Sequence, residues 1–492
     1  MNPATSSSRF NRLSFKDGDS AEVLSIQREA DSAGSQRPNR VYAEPARQTP
    51  VFAETEVLVV GGGPAGCAAA VAAARAGAQV LLVERYGHLG GLSTGGLVFW
   101  IDRMTDWAGK QVIAGFAVDI LDRLPSDSVV GPPREDWGSR DPAKNAYWGQ
   151  RSASFRDTVT WAPKVDPEWL KIVSLDMLRE AGVRLLLHAW AVAPILEGTA
   201  LRGAIFESKE GRHAILAKVV VDASGDGDIY AGAGAAYSAE VDTASMHHCV
   251  NTAWTWGGVD MERWLRFRRE EREAVARIRD QGRAEIGEVE FPYSSWRPDV
   301  ALFLGPRLTG YSPVKVEDLT AIEIESRQWM VKLLAFFREH CPGFEQAWIM
   351  QTAQETGIRH SRRLGSLQPI CKADWELGRR YPDEVGVSPS LTPAFASVSV
   401  PYRSLIPAEI DGLLAPGRHI GCDTSSHTFM REIPQCWLTG QAAGVGAAVA
   451  VRGDTEPRNV DVRRVQAELR RQGVYLQVPA ETGSVAEVAG PR

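Results

Sequence analysis

The stretch Val57–Glu84, VLVVGGGPAGCAAAVAAARAGAQVLLVE, leaves few folds open to this chain. Val57–Val60 are consecutive apolar residues and suit a strand covered on both faces. Gly61, Gly63 and Gly66 then stand in G-x-G-x-x-G register. The Ala-rich run from Ala65 to Ala76 is a good helix former, and Gly77 ends it. Gln79–Val83 reads as a second buried strand, closed by Glu84. Together these parts form a β-α-β unit of the dinucleotide-binding kind. In such a unit Gly61 permits the tight turn, Gly63 lets backbone approach a pyrophosphate, and Gly66 lets helix and strand pack closely. The helix start favours phosphate charge, and Glu84 can accept hydrogen bonds from ribose hydroxyls. The competing reading is a Gly-rich turn in an unrelated α/β unit.

The rest of the chain supplies further pieces. Residues 1–40 lack apolar periodicity and read as a disordered arm without an export signal. Five glycines between Gly87 and Gly96 form a loop where backbone can approach a ligand. Residues 97–165 are irregular, with one helix signal at Val112–Leu124, and such an insertion suits a lid or substrate pocket. Asp166-Pro167 starts a helix that Gly182 stops. Strand candidates follow at Val183–His188, Val192–Leu196, Leu201–Ser208 and His213–Val221, with turns at Glu197-Gly198 and Glu210-Gly211. The last runs into Asp222–Gly227, a small-residue turn that either binds a second part of the dinucleotide or simply ends the strand. Met261–Arg283, with eight Arg and five acids, reads as a solvated helix, and Asp318–His340 carries a helical apolar stripe. Thr439–Gly444 reads as the start of a small-residue helix, with its first amides open to a ligand. Val460–Gly473 reads as an amphipathic helix with Gly473 as its stop.

Bulk properties exclude several classes. The 492 residues suffice for two or three domains. The formal charge of −6 argues against a nucleic-acid partner. No apolar run reaches the ~18 residues of a membrane helix. The six cysteines show no C-x-x-C spacing, so neither a metal site nor a disulfide framework is expected, and a cytoplasmic setting fits. The fifteen Trp are mostly core candidates, with some left to line a pocket. No second G-x-G-x-x-G follows a strand in 240–400, which disfavours a separate NAD(P) domain.

These residues together resemble the FAD-dependent oxidoreductases of the glutathione-reductase type. More narrowly they are similar to a single-FAD bacterial family to which the name xanthan lyase is sometimes given. The likeness spans about residues 42–475 and rests on EPAR (44–47), VF (51–52), EVLVVGGGPAG (56–66), ERYGHLGGLSTGG (84–96) and VDPEWLK (165–171). It continues through VVVDASGDGD (219–228), GIRHSRRLG (357–365), VPYRSLIP (400–407), LLAPGRHIG (413–421) and IPQCWLTGQAAG (433–444). The resemblance implies an α/β fold: a discontinuous Rossmann-like FAD domain with a β-meander (41–100, 165–240, 405–475) and an inserted α+β substrate or cap domain (101–164, 241–404). A flexible tail (476–492) would follow. It also implies FAD contacts. Gly61, Gly63, Pro64, Ala65 and Gly66 would hold the pyrophosphate. Glu84 and Arg85 would bind the adenosine ribose and cover adenine, with Ala191 or Val192 touching adenine through backbone. Gly90, Gly91 and Leu92 would run beside the ribityl chain and flavin, and Ser224, Gly225 and Asp226 would pack on the cofactor. Gly417 and Arg418 would open the late FAD motif, and Gly440, Gln441 and Ala442 would face the flavin pyrimidine. The segment His427–Glu432 departs from the family pattern, which places substrate chemistry outside what the resemblance implies.

The expected activity is hydride transfer between flavin N5 and a small organic substrate, with electrons passing to oxygen or a carrier protein. His427 is the first candidate for proton transfer, then His360 and Glu432. Arg431 or Arg359 would anchor a carboxylate or stabilise an enolate. Each of these has a plainer reading as a seam histidine or an ion-paired arginine. His88 and the thiols of Cys422 and Cys436 read as ordinary loop and core residues. A flavin monooxygenase, and a non-catalytic escort protein on the same fold, are the alternatives. No membrane partner is expected, and the oligomeric state stays open, a dimer included.

Overall fold

A computed structural model of the chain describes residues 10–12, 24–27, 40–240 and 248–479. Its centre is a seven-stranded sheet. Strands Val51–Val60, Val80–Val83 and Arg184–Leu186 run parallel in that order. On the other side Val51–Val60 pairs in parallel with the long strand Gly211–Asp222. That strand has two neighbours on its far edge. Its first half pairs antiparallel with Ala200–Ser208, which pairs with Trp190–Glu197. Its second half pairs in parallel with Leu413–Leu414. One strand therefore belongs to both a parallel nucleotide sheet and a meander, as the doubly occupied edge requires.

The parallel strands are apolar because helices cover them: Val57, Leu58, Val59 and Leu82 are fully buried. Helix Pro64–Arg75 lies on one face, and helix Ile433–Arg452 packs against it. Both are rich in Ala and Gly where they meet, so their backbones approach closely. A Cβ on Gly440 would lie 2.1 Å from the Ala65 carbonyl oxygen, and one on Gly444 would lie 2.1 Å from that of Ala69. Asp166 caps the helix Pro167–Glu180 by accepting from Glu168 N at 2.8 Å, a bond that contributes about 1 kcal/mol.

A second unit holds the antiparallel sheet Tyr293–Ser294, Val300–Phe303, Trp254–Gly257 and Trp348–Thr352. Helices Met261–Glu270, Arg272–Ile286 and Val316–His340 accompany it. Trp254, Trp256, Trp264 and Trp329 join Phe303, Phe337 and Phe344 in its core. With Trp375 and Trp437 in the other core, six of the fifteen Trp are buried, fewer than the sequence expectation. The arginine-rich segment is two helices broken at Glu271, and its first buries Met261, Trp264 and Leu265.

Three sequence expectations change. The arm 1–40 is not structureless throughout: Phe10–Arg12 and Leu24–Gln27 are strands, the second paired in parallel with Leu308–Thr309. The rest of 1–39 lies outside the described residues. Part of the 101–164 stretch packs with the nucleotide unit rather than over it, since helix Phe116–Asp122 buries Phe116, Ile120 and Leu121 in the core of Pro64–Arg75. The tail is held through 479, where Gln477 N donates to Glu384 Oε1 at 2.5 Å and Arg470 to the Val478 carbonyl at 2.6 Å. Residues 480–492 lie outside the description.

Candidate functional site

Four parallel strands deliver their C-terminal loops to one place. Val51–Val60 ends at Gly61, Val80–Val83 at Glu84, Gly211–Asp222 at Ala223–Asp226, and Leu413–Leu414 at Pro416–Arg418. All four loops line one cavity of about 740 Å³, solvent included. This is where open α/β sheets bind ligands. Gly61 has φ +99°, and a Cβ there would meet the Ala223 carbonyl oxygen at 2.4 Å, so only glycine fits between the strand ends. At Gly63 the nearest heavy atom to a built Cβ is 4.0 Å away, which leaves room for a ligand against the backbone. Helix Pro64–Arg75 has no side-chain cap, so its first turn faces the cavity through Gly63, Pro64 and Ala65 with its positive end uncompensated. Gly66 stays behind this wall and serves packing: a Cβ there would lie 1.8 Å from Gly61 O.

A smaller cavity of about 330 Å³ shares Gly61, Glu84, Arg85 and Ser224 with the first and adds Ala189, Trp190 and Ala191. The two meet end to end across Glu84 and Arg85. Ala191 lines the small end; Val192 does not, and its side chain is exposed. Glu84 accepts from Gly62 N at 2.6 Å and Tyr86 N at 2.8 Å. Burial still lifts its carboxyl above the usual range, against those two amides. Arg85 stacks over Tyr86 at 4.7 Å; burial opposes its charge, but Tyr86, Glu355 and Asp226 outweigh that and raise its guanidinium.

Asp222 and Asp226, four residues apart, do different work. Asp222 is fully buried, and accepts from Ser224 N, Ser224 Oγ, Ile229 N and Tyr230 N, which fixes the turn. Asp226 reaches across the cavity rim. Its Oδ1 accepts from Arg418 Nη2 at 2.8 Å and Ser361 Oγ at 2.6 Å. Burial raises its carboxyl, but the Arg418 charge and the Ser361 bond outweigh that and hold it below the ordinary value. Ser224, Gly225, Asp226, Gly417 and Arg418 all line the cavity.

The cavity is also lined by Leu92, Thr356, Ile358, Arg431, Ile433 and Cys436. Gly91 is there too, while Gly90 sits one step back against Thr94. Arg431 Nη2 pairs with Glu432 Oε1 at 2.9 Å, and its buried Nε has no partner among the described residues. Burial depresses the Arg431 guanidinium, which Glu432 opposes and the nearby Arg359 charge reinforces. Burial likewise raises Glu432, around which Arg431, Asp102, Arg359 and Arg103 gather. Arg359 Nη1 donates to Asn251 Oδ1 at 3.0 Å and to Cys249 Sγ at 3.2 Å.

The histidines take another place. His427 is 1% exposed, lies behind the cavity lining, and its Nε2 donates to the Arg418 carbonyl at 3.0 Å. His360 packs between His248 and His427, with ring centroids 4.5 and 5.0 Å apart. Burial, with its histidine and arginine neighbours, drives His360 down to about 2 and His427 well below its ordinary value. Neither titrates near neutrality nor reaches the cavity, contrary to the sequence expectation. The helix-start assignment also moves. The late helix begins at Ile433, not Thr439, so Ile433 and Cys436 form the wall. Gly440, Gln441 and Ala442 lie a turn or more inside it: Gly440 meets Ala65, Gln441 Oε1 accepts from Phe116 N at 2.9 Å, and Ala442 is fully buried.

Sequence reasoning missed Glu355, which lines the cavity and pairs with His88 Nε2 at 3.1 Å. Its position two residues before the GIRHSRRLG run (357–365) was the available signal. Among the described residues no group of three or more His, Cys, Asp or Glu could hold a metal ion.

The chain belongs to the FAD dependent oxidoreductase family, whose sequence model matches residues 56–469. FAD is accordingly its cofactor. Among curated proteins it is 27% identical over 175 residues to digeranylgeranylglycerophospholipid reductase 2 of Methanopyrus kandleri, covering 35% of this chain and 38% of that one. It is 40% identical over 103 residues to an NADH oxidase of Thermoanaerobacter brockii, covering 18% and 15%. The chain therefore spans well under half the length of these relatives. Solved structures it resembles include a geranylgeranyl bacteriochlorophyll reductase-like protein of Thermoplasma acidophilum, with 12% identity, TM-score 0.41 and coverage of 85% and 82%. Another is a p-nitrophenol 4-monooxygenase of Pseudomonas putida, with 13% identity, TM-score 0.44 and coverage of 85% and 86%.

Proposed function

We propose that this enzyme moves a hydride between FAD and a small organic substrate bearing an anionic group, and passes electrons to oxygen or a separate carrier. The observation that carries the reading is Arg431: a largely buried guanidinium with an unpartnered N–H among the described residues, lining the same cavity as Glu84 and the start of Pro64–Arg75. FAD, when bound, supplies hydride acceptance and donation. The chain supplies the rest. Glu84, Arg85 and Ala191 hold the adenosine end, the start of Pro64–Arg75 holds the diphosphate, and Ser224–Asp226 with Gly417-Arg418 hold the middle. Arg431 binds and orients the substrate anion, with Arg359 adding positive potential. Glu432, raised by burial, holds or releases a proton beside it. The closeness to glutathione-reductase-type flavoproteins, a bacterial origin and a cytoplasmic setting belong to the same proposal. The reductase among the relatives supports allowing both directions of transfer.

Purified enzyme is expected to be yellow, and an anionic metabolite is expected to bleach it anaerobically, with colour returning in air. Oxygen appearing in the product instead of peroxide would replace hydride transfer with oxygen insertion. Arg431→Gln should retain FAD yet raise KM for that metabolite about tenfold or more, the loss of a charged hydrogen bond. Unchanged KM would remove Arg431 from substrate binding.

A further inference from the structure

A cavity of about 840 Å³, solvent included, lies where the second unit meets Gly149, Gln150 and Ser152, and it shares no lining residue with the FAD cavity. Arg268 and Arg279 lie eleven positions apart on an acid-rich, arginine-rich segment that a single solvated helix would expose. The break at Glu271 instead brings both guanidinium groups over one ring. Arg268 sits 5.5 Å and Arg279 4.9 Å from the Phe291 centroid. Neither has an ion pair or a hydrogen bond among the described residues, and both line the cavity. Of the cavity's acids, Glu290 pairs with Arg307; Glu288 accepts from Val289 N at 2.9 Å, has Arg283 3.8 Å away, feels the Arg279 charge, and is pushed by burial toward its neutral form. Burial, followed by the Arg279 charge, weakens the charged state of Arg268. Two like charges beside one aromatic ring, neither in a salt bridge with Glu288 or Glu290 of the same cavity, are stabilised by an anion that accepts from both.

We propose that this cavity is an oxyanion-binding site, which takes the phosphate or carboxylate group of a small molecule between Arg268 and Arg279. The aromatic face of Phe291 presets the two forks, so little side-chain entropy remains to be lost on binding. Tyr293 extends the wall and stacks on Trp100 at 5.9 Å. The site stands on its own geometry and does not depend on which substrate the flavin end accepts.

The test uses FAD-saturated enzyme, so that the diphosphate site is filled. Inorganic phosphate and citrate are titrated separately by calorimetry in chloride buffer. Saturable binding of at least one probe is expected, with Arg268→Gln and Arg279→Gln each weakening it about tenfold or more. Tighter phosphate assigns the phosphoryl class; tighter citrate assigns the carboxylate class. Without probe, each variant should keep or raise the melting temperature, because a like-charge contact is relieved. Absence of saturable binding by both probes, equal affinity in the double variant, or a marked fall in melting temperature for both single variants overturns the proposal.

Discussion

At Gly66 a methyl group would lie 1.8 Å from the Gly61 carbonyl oxygen and 3.3 Å from Ala223. Both line the cavity, in two neighbouring strand-end loops, so the strain would fall on the ligand site as well as the fold. Gly66→Ala should cost at least the ~1–3 kcal/mol of an overpacked core and release FAD, read by urea denaturation and by flavin lost on gel filtration. His360 supports a pH argument. Its folded value, down to about 2 through burial, His248 and Arg363, lies below the ~6.5 of an unfolded histidine. The unfolded chain therefore takes the proton first. The stability that depends on neutral His360 is fully present above about pH 6.5 and falls with acidification through the window toward the folded value, by about 1.4 kcal/mol per pH unit. His360→Gln should flatten the slope of unfolding free energy between about pH 6 and pH 4.5 by that one proton. An unaltered slope would mean that His360 is not held neutral.

Among elements, the pairing of Pro64–Arg75 with Ile433–Arg452 decides both stability and the shape of the cavity. Gly440→Ala places a methyl 2.1 Å from Ala65 O, which helix backbone cannot yield cheaply. A loss of roughly 1–3 kcal/mol is expected, measured as a lower urea midpoint, together with altered flavin fluorescence because Ala65 lines the cavity. This crossing also explains what the sequence made legible. The β-α-β unit was readable because glycine register, alanine helix and terminal acid each have a local cause. Asp166-Pro167 likewise announced its helix through the cap and the proline. Thr439–Gly444 misled because small residues serve a helix start near a ligand and a helix crossing equally well. Pro434, at the first turn of the observed helix, was the better signal. His427 misled for a different reason: a histidine's ordinary titration near neutrality says nothing about its burial in the fold. Glu355 was hidden because only the fold brings it to His88, 267 positions away.

For the whole molecule, the consequential link is the one that joins three distant segments at the cavity rim. Asp226 follows the long central strand, Ser361 lies in the segment 357–365, and Arg418 follows the short parallel strand. Their bonds at 2.6 and 2.8 Å are made by a carboxylate and a guanidinium that are both largely buried. Removing Arg418 leaves Asp226 charged in a desolvated place, with Ser361 as its remaining close donor. Arg418→Met should therefore cost about 3–5 kcal/mol, and weaken FAD retention because Gly225 and Gly417 lose their common brace. Adding Asp226→Asn removes the stranded charge. The double variant should regain part of the melting temperature lost in Arg418→Met, whereas Asp226→Asn alone should be destabilising, since it leaves Arg418 unpaired. Additive losses across this cycle, measured by thermal unfolding of the FAD-free protein, would mean that the two residues act independently and that the rim is held by packing rather than by this ion pair.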